Sequence, residues 1–321
     1  MVKRILIVRT SSLGDLVHML PAISDIAKQL PEAQIDWLAE EALALIPSWH
    51  PAVHEVIAVS HRRWRKSWWS AEVRQERKAL REKLRAKHYD LVLDMQALLK
   101  SIWLVRMTTG VRHGLDFSSA REPLASLFYD VRHRVKFWQP AVTRQRLLAA
   151  ATFGYEFEGP PNFGLQSFEQ QGALDRSKQA PYAVIIPSAS REDKLWPVED
   201  WHAVFDRLAV AGMSLKVLAG NEAETQRAQA LIAGRSQAEV LPRMDLNAVA
   251  RCLAASTLMV GLDSGLTHLS AALGRPTIAI YKASTPVRTP LVGAGFTANL
   301  GDRGCPPTRE AVLGALSQIL D

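Results

Sequence analysis

An apolar run that ends in a small polar turn and passes straight into a helix is the unit that most constrains this chain. At residues 258–262 the run LMVGL reads as a buried strand. Leu266, Leu269, Ala272 and Leu273 then recur at helical spacing until Gly274 and Pro276 stop the helix. The same alternation runs through both halves. Strands are expected at 4–8, 35–39, 56–59, 91–94 and 111–115 in the first, and at 182–187, 215–219, 239–241, 258–261 and 277–281 in the second, with helical stretches between them. Each set predicts a doubly wound, mainly parallel sheet. The Gly-Pro-Pro-Asn stretch at 159–162 and the polar residues up to Pro181 divide the chain into a domain at 1–160, a linker at 161–180 and a domain at 181–321. A ligand cleft between two such domains is expected, because open sheets of this kind bind beyond the carboxyl ends of their strands.

The turns carry the chemistry. Asp263, Ser264 and Gly265 stand at a helix N-terminus, where free N–H groups and the positive dipole end suit a phosphate. His268 follows one turn later. An N-cap aspartate and a helix-surface histidine account for the same residues without a ligand. Near the N-terminus, a strand at 5–8 turns through TSSLGD (10–15) into a helix that places Asp15 near its start, either as a functional carboxylate or as a complement to the dipole. With a single glycine, this turn lacks the G-x-G-x-x-G dinucleotide fingerprint. After the strand ending near 187, Ser188, Ser190 and then Lys194 precede a helix beginning near Pro197. Hydroxyls and a lysine there can hold a diphosphate, or Lys194 pairs with a neighbouring carboxylate.

At 321 residues, 48% hydrophobic, with a mean hydropathy of −0.03, the chain is expected to be a soluble two-domain protein without a membrane-spanning segment or signal peptide. Its two cysteines form no C-x-x-C pair, and His50 and His54 flank Pro51 with no other ligand in register, so neither a disulfide framework nor a zinc site is expected. Residues 62–87 hold eleven Lys and Arg against three Glu, a net +8 that exceeds the whole chain's +7. From Ser70 on, this reads equally as a solvated helix face. Within 62–69, Arg62, Arg63, Arg65 and Lys66 interleave with Trp64, Trp68 and Trp69, a composition suited to a membrane surface or a polyanion. No nucleic-acid-binding signature accompanies the charge, so nucleic acid is not the expected partner.

TSSLGD (10–15), PSWHPAV (47–53), the basic segment 62–84, AREPLASLFY (120–129), DKLWP (193–197) and LDSGLTHLSAAL (262–273) occur in this order over nearly the whole chain. Together they resemble the lipopolysaccharide heptosyltransferases, family-nine glycosyltransferases of GT-B fold, and within them the heptosyltransferase I branch. The resemblance implies an α/β protein of two Rossmann-like domains, the first binding acceptor and the second ADP-heptose, with the C-terminal helix able to pack back on the first. It implies an inverting, metal-independent transfer of L-glycero-D-manno-heptose from ADP-heptose to the first Kdo of Kdo2-lipid A, without a cofactor, on the cytoplasmic face of the inner membrane. A heptosyltransferase for a later core position and a non-catalytic nucleotide-sugar binder are the alternatives. Position by position, it implies Asp15 as general base and Lys194 as the cation facing the leaving diphosphate. It implies Ser188, Ser190, Glu224, Met244, Asp263, Ser264, Gly265 and His268 as donor-binding residues, with Glu224 on the ribose and Met244 by the adenine. Arg62, Arg63, Lys66 and Arg121 would meet the acceptor's carboxylates and phosphates. After Tyr281 this chain reads Lys-Ala-Ser-Thr-Pro, a departure from the family's Gly-Pro-Thr.

Overall fold

The computed structural model describes residues 4–188 and 192–321. Its strands are β1 (Arg4–Val8), β2 (Gln34–Glu40), β3 (Val53–Val59), β4 (Leu91–Asp94), β5 (Val111–Leu115), β6 (Val131–His133), β7 (Tyr182–Ile186), β8 (Ser214–Val217), β9 (Ala238–Val240), β10 (Leu258–Leu262), β11 (Thr277–Ile280) and β12 (Thr297–Leu300). They form two six-stranded sheets, ordered β3-β2-β1-β4-β5-β6 and β12-β11-β10-β7-β8-β9. Every pairing within them is parallel. Both orders are the doubly wound arrangement, in which the chain winds outward in one direction, returns to the middle and winds outward in the other.

The strands next to each reversal are buried on both faces and accordingly read as apolar runs, apart from Arg4 and Asp94 at strand ends. RILIV pairs with LVLD in the first sheet and YAVII with LMVGL in the second. Two strands, β6 and β12, escaped the sequence reading. They are outermost in their sheets, and their sequences, VRH and TANL, are exposed or half-buried rather than continuous apolar runs.

The chain divides into compact units at Met1–Gly164 and Leu165–Asp321. In the first, Leu6, Val8, Leu38, Val92 and Leu104 pack with Leu80 and Leu84 from helix Ala71–Ala86. In the second, helix Val198–Val210 lays Trp201, Phe205 and Leu208 against Ile185, Val260 and Ile278. Each such side chain contributes about 1.5–3 kcal/mol when fully buried. The stretch read as a linker, 161–180, contains a helix, Gln166–Arg176, that packs on helix Leu246–Ala255 so closely that a Cβ on Gly172 would lie 2.4 Å from the Ala254 carbonyl oxygen. The expectation failed because the helix buries only Gly172, with Phe168 half-buried and Leu174 exposed, so no apolar stripe marks it. The C-terminal helix Arg309–Leu320, expected to be able to return to the first domain, packs on helix Val198–Val210 and beside β11 and β12, with Val312, Ala315 and Leu316 buried.

His50 fixes the end of the first unit. Its Nε2 lies 2.8 Å from Ser24 Oγ, and its ring covers Gly164, whose φ of +67° disfavours any side chain. A Cβ at Gly164 would sit 2.3 Å from the imidazole. Gly164→Ala should therefore destabilise the first unit by about 2 kcal/mol or more, from overpacking added to backbone strain. Urea unfolding followed by circular dichroism checks this, and an unchanged midpoint would contradict the packing described.

Candidate active site

In the second sheet the reversal falls between β10 and β7, so the segments leaving those two strands diverge and leave a crevice at their carboxyl ends. Asp263 leaves β10 and is mostly buried. Its Oδ2 accepts from Lys194 Nζ at 3.0 Å and from Ser284 Oγ at 2.5 Å. Its Oδ1 lies 3.2 Å from His268 Nε2, and its backbone carbonyl accepts from Lys194 at 3.1 Å. Burial pushes the Asp263 carboxyl up. The hydrogen bonds from His268 and Ser284 and the Lys194 ammonium outweigh that and hold it well below the ordinary carboxylate value. The lysine that the sequence allowed to be a carboxylate partner is one, and its third N–H is unspent by these bonds.

Ser264 caps helix Gly265–Ala272, its hydroxyl 2.9 Å from Thr267 Oγ1, and Gly265 opens the helix, whose first N–H groups have no partner within the helix itself. Ser188, leaving β7, is buried, and its hydroxyl has no partner among the described residues. A buried hydroxyl at a strand end without a hydrogen bond is costly unless something else supplies one. Ser190 lies outside the described residues. Glu224 and Met244 follow β8 and β9. Glu224 is in the first turn of helix Glu222–Leu231, where its carboxylate accepts from the Gly220 N–H at 2.8 Å and the Asn221 amide at 2.8 Å. Met244 is half-buried. Ser284, from the loop after β11 where this chain departs from the family pattern, was not anticipated. The adjacency of β11 to β10 is the signal that could have found it.

The first sheet reverses between β1 and β4, and there lies Asp15. It stands in the first turn of helix Leu13–Gln29, accepting from the Ser12 N–H at 2.7 Å and the Ser12 hydroxyl at 3.0 Å, and its Oδ1 meets Arg9 Nη2 at 2.7 Å. Its side chain is nonetheless 40% exposed. Burial raises its pKa, but Arg9 and the Ser12 hydrogen bonds prevail and keep it ionised through the neutral range. The loop after β4 supports this turn. Fully buried Asp94 accepts from Ser101 Oγ at 2.7 Å, Tyr129 OH at 2.8 Å and the Gln96 N–H at 2.8 Å. Gln96 then accepts from the Thr10 N–H at 3.0 Å and the Thr10 hydroxyl at 2.8 Å, and Lys100 donates to Ser11 Oγ at 2.8 Å. Burial, then Arg62, lower the Lys100 pKa. Gln96 and Lys100 were missed because they reach the 10–15 turn only through the β1-β4 pairing, whereas Arg9, directly before that turn, was a local signal left unread.

Three of the expected acceptor residues share helix His61–Lys66, and Arg121 lies just before the turn Pro123–Phe128. Arg62, Lys66 and Arg121 are exposed. Arg63 is instead clasped by Glu76 through two bonds of 3.0 and 2.8 Å. The tryptophans expected at an interface divide likewise. Trp64 is buried and donates to Glu76, Trp68 is half-buried with its ring 5.9 Å from that of Trp103, and Trp69 is exposed. Among the described residues, no group of three or more His, Cys, Asp or Glu is placed to hold a metal ion, and no helix is long and apolar enough to cross a membrane.

Residues 77–314 match the family model of glycosyltransferase family 9 (heptosyltransferase). The chain belongs to that family. It is 44% identical over 319 residues to lipopolysaccharide heptosyltransferase 1 of Escherichia coli (strain K12), covering 99% of this chain and 98% of that protein. It resembles the solved structure of E. coli heptosyltransferase WaaC with ADP, with a TM-score of 0.90 and 41% identity over 98% of this chain and 99% of that one. Against E. coli heptosyltransferase WaaC with ADP-2-deoxy-2-fluoro heptose the TM-score is 0.88, at 42% identity and the same coverage. This glycosyltransferase thus has the expected α/β fold of its family.

The Asp263 cluster predicts a pH signature. Because the folded pKa is below the ordinary value of 3.8, its stabilisation is present above about pH 4 and is lost as pH falls through the folded value. Asp263→Asn should cost about 1–3 kcal/mol at neutral pH, by leaving Lys194 without its charged partner. In urea unfolding series from pH 7 downward, that deficit should be constant to about pH 5 and shrink below pH 4. A deficit that grew on acidification would contradict the assigned interactions.

Proposed function

We propose that this glycosyltransferase moves L-glycero-D-manno-heptose from ADP-heptose to the first Kdo of Kdo2-lipid A, inverting the anomeric centre, in lipopolysaccharide inner-core biosynthesis. The reading rests above all on the Lys194–Asp263–His268 cluster, the Ser188 hydroxyl, which has no partner among the described residues, and a helix N-terminus. A lysine, a buried hydroxyl and the backbone donors of a helix start suit a diphosphate, and the relatives solved with ADP and with ADP-2-deoxy-2-fluoro heptose support the same choice.

The Asp15 carboxylate takes the proton of the acceptor hydroxyl while that oxygen attacks the anomeric carbon. Held ionised by Arg9, it is a weak base toward a free hydroxyl. Proton transfer accompanies carbon–oxygen bond formation, as the attacking oxygen becomes acidic. The bond to the leaving ADP breaks on the opposite face, hence inversion. Lys194 offsets the charge growing on the departing diphosphate, with Ser264, Gly265 and His268 around it and Ser188 and Ser190 completing the hydroxyl set. Asp263 orients heptose hydroxyls, Glu224 holds the ribose and Met244 the adenine. Arg62, Lys66 and Arg121, with Arg63 in its Glu76 clasp, meet the acceptor's carboxylates and phosphates. The acceptor's acyl chains place the reaction at the cytoplasmic face of the inner membrane, the protein bound peripherally.

Mass spectrometry of Kdo2-lipid A incubated with ADP-heptose and the purified protein tests the reading: a product heavier by one heptosyl unit is expected, and unchanged acceptor would refute it. Asp15→Ala should keep ADP-heptose affinity and lose about 10²–10⁴ in turnover. Near-parental turnover by the folded variant would remove Asp15 from the role. Lys194→Ala should weaken both ADP-heptose binding and the chemical step, and EDTA should leave the parent's activity intact. Activity abolished by EDTA and restored by a divalent cation would mean that Lys194 is not the diphosphate's principal counter-charge.

A further inference from the structure

Outside the reversal site, the first unit carries a groove of about 720 Å³ between helix Ala71–Ala86 and helix Leu99–Val105. Helical spacing explains its lining. Val73, Leu80 and Leu84 form the buried stripe of the first helix, and Arg77 falls in that stripe, where an apolar residue would complete it. Its guanidinium lies 3.7 Å from the Trp68 ring centre and 4.6 Å from that of Trp103, and its buried Nε has no hydrogen-bond partner among the described residues. Arg74, Lys78 and Arg81 share the adjacent stripe, and Arg106 faces them from the end of the second helix. Among the described residues, the only ion pair recorded for these five cations is the exposed Lys78–Glu82 contact at 3.9 Å. The floor is apolar: Ile102, Trp103, Met107 and Phe128. Leu99 on the rim and Leu124 and Leu127 in the neighbouring turn Pro123–Phe128 are about half exposed.

We propose that this groove docks the protein on an anionic phospholipid bilayer, the arginines taking headgroup phosphates and the apolar floor and leucine rim meeting the glycerol and upper acyl carbons. Charge complementarity carries the choice: the lining holds five cations and no carboxylate, and arginine pairs with phosphate in a two-point fork. Protruding leucines beside a basic groove suit a lipid surface, where apolar side chains enter the headgroup boundary. Nucleic acid fits less well, because the indole faces on which bases would stack are already covered by Arg77 and by neighbouring tryptophans. The inference rests on the proposed membrane-borne acceptor for its purpose. It moves the docking face from helix His61–Lys66, whose Trp64 is buried, to the helix that follows.

The test uses the full chain with Arg74, Arg81 and Arg106 together changed to Gln. Arg77 is left alone, since its stacking supports the fold. Sedimentation with phosphatidylglycerol–phosphatidylcholine vesicles should show parent binding that weakens with salt and is absent on pure phosphatidylcholine. The triple variant should bind about a hundredfold more weakly. Its turnover on a deacylated, water-soluble acceptor and its circular dichroism should match the parent's. Unchanged vesicle binding by the variant would overturn the proposal, as would equal parent binding to neutral vesicles. So would tighter parent binding to a short DNA duplex than to the anionic vesicles. Loss of turnover on the soluble acceptor by the folded variant would also overturn it, by assigning the groove to the acceptor site. Failure of the parent to transfer heptose would sink the proposed function alone, because sedimentation does not depend on turnover.

Discussion

The parallel pairing of β1 with β4, and of β10 with β7, is the constraint on which the rest of the molecule depends. Each pairing joins strands distant in sequence and sets the point where the winding changes direction. The chain leaves those two strands toward opposite sides, so their carboxyl ends cannot be covered by the next crossover. Side chains from separate loops therefore meet there: Ser11, in the turn that carries Asp15, with Gln96 and Lys100 in the first sheet, and Asp263 with Lys194 and Ser284 in the second. The strands at these reversals are also the most apolar, so the residues that fix the core fix the sites as well.

Electrostatics then divide the labour. At both reversals a carboxylate is held ionised against burial, and the partners differ. Asp15 faces a guanidinium and the donors of its own helix start, and remains open to solvent, as suits a group that must receive a proton. Asp263 is enclosed by an ammonium, an imidazole and a hydroxyl, which suits a group that orders its neighbours. The first arrangement suits the proton transfer, and the second the diphosphate and sugar hydroxyls, that are proposed for the two halves.

Much of this was legible in the sequence because its signals are local. Apolar runs ending in SSLGD and DSGLTHL state strand, turn and helix within about twenty residues, and so locate Asp15, Asp263 and His268 at helix starts. What was not legible depended on contacts distant in sequence. Ser284 reaches Asp263 only because β11 lies beside β10. Arg63 reads as a free cation until Glu76 is folded against it, and Trp64 reads as interfacial until Trp103 and Glu76 enclose it. β6 and β12 were missed because outermost strands need no continuous apolar run. The helix at 166–176 was missed because its packing uses a glycine, and close approach to another helix leaves no apolar stripe to read.

The claim that the strand-order reversals are the working sites is tested most directly by amide NMR on the isotope-labelled full chain during titration with ADP. Shifts should concentrate in the segments leaving β7, β8, β9, β10 and β11, with Ser188, Gly220, Asp263, Gly265 and Ser284 among the most affected. Shifts confined to the amino-terminal ends of those strands or to the first sheet, with the residues after β10 and β7 unmoved, would contradict it.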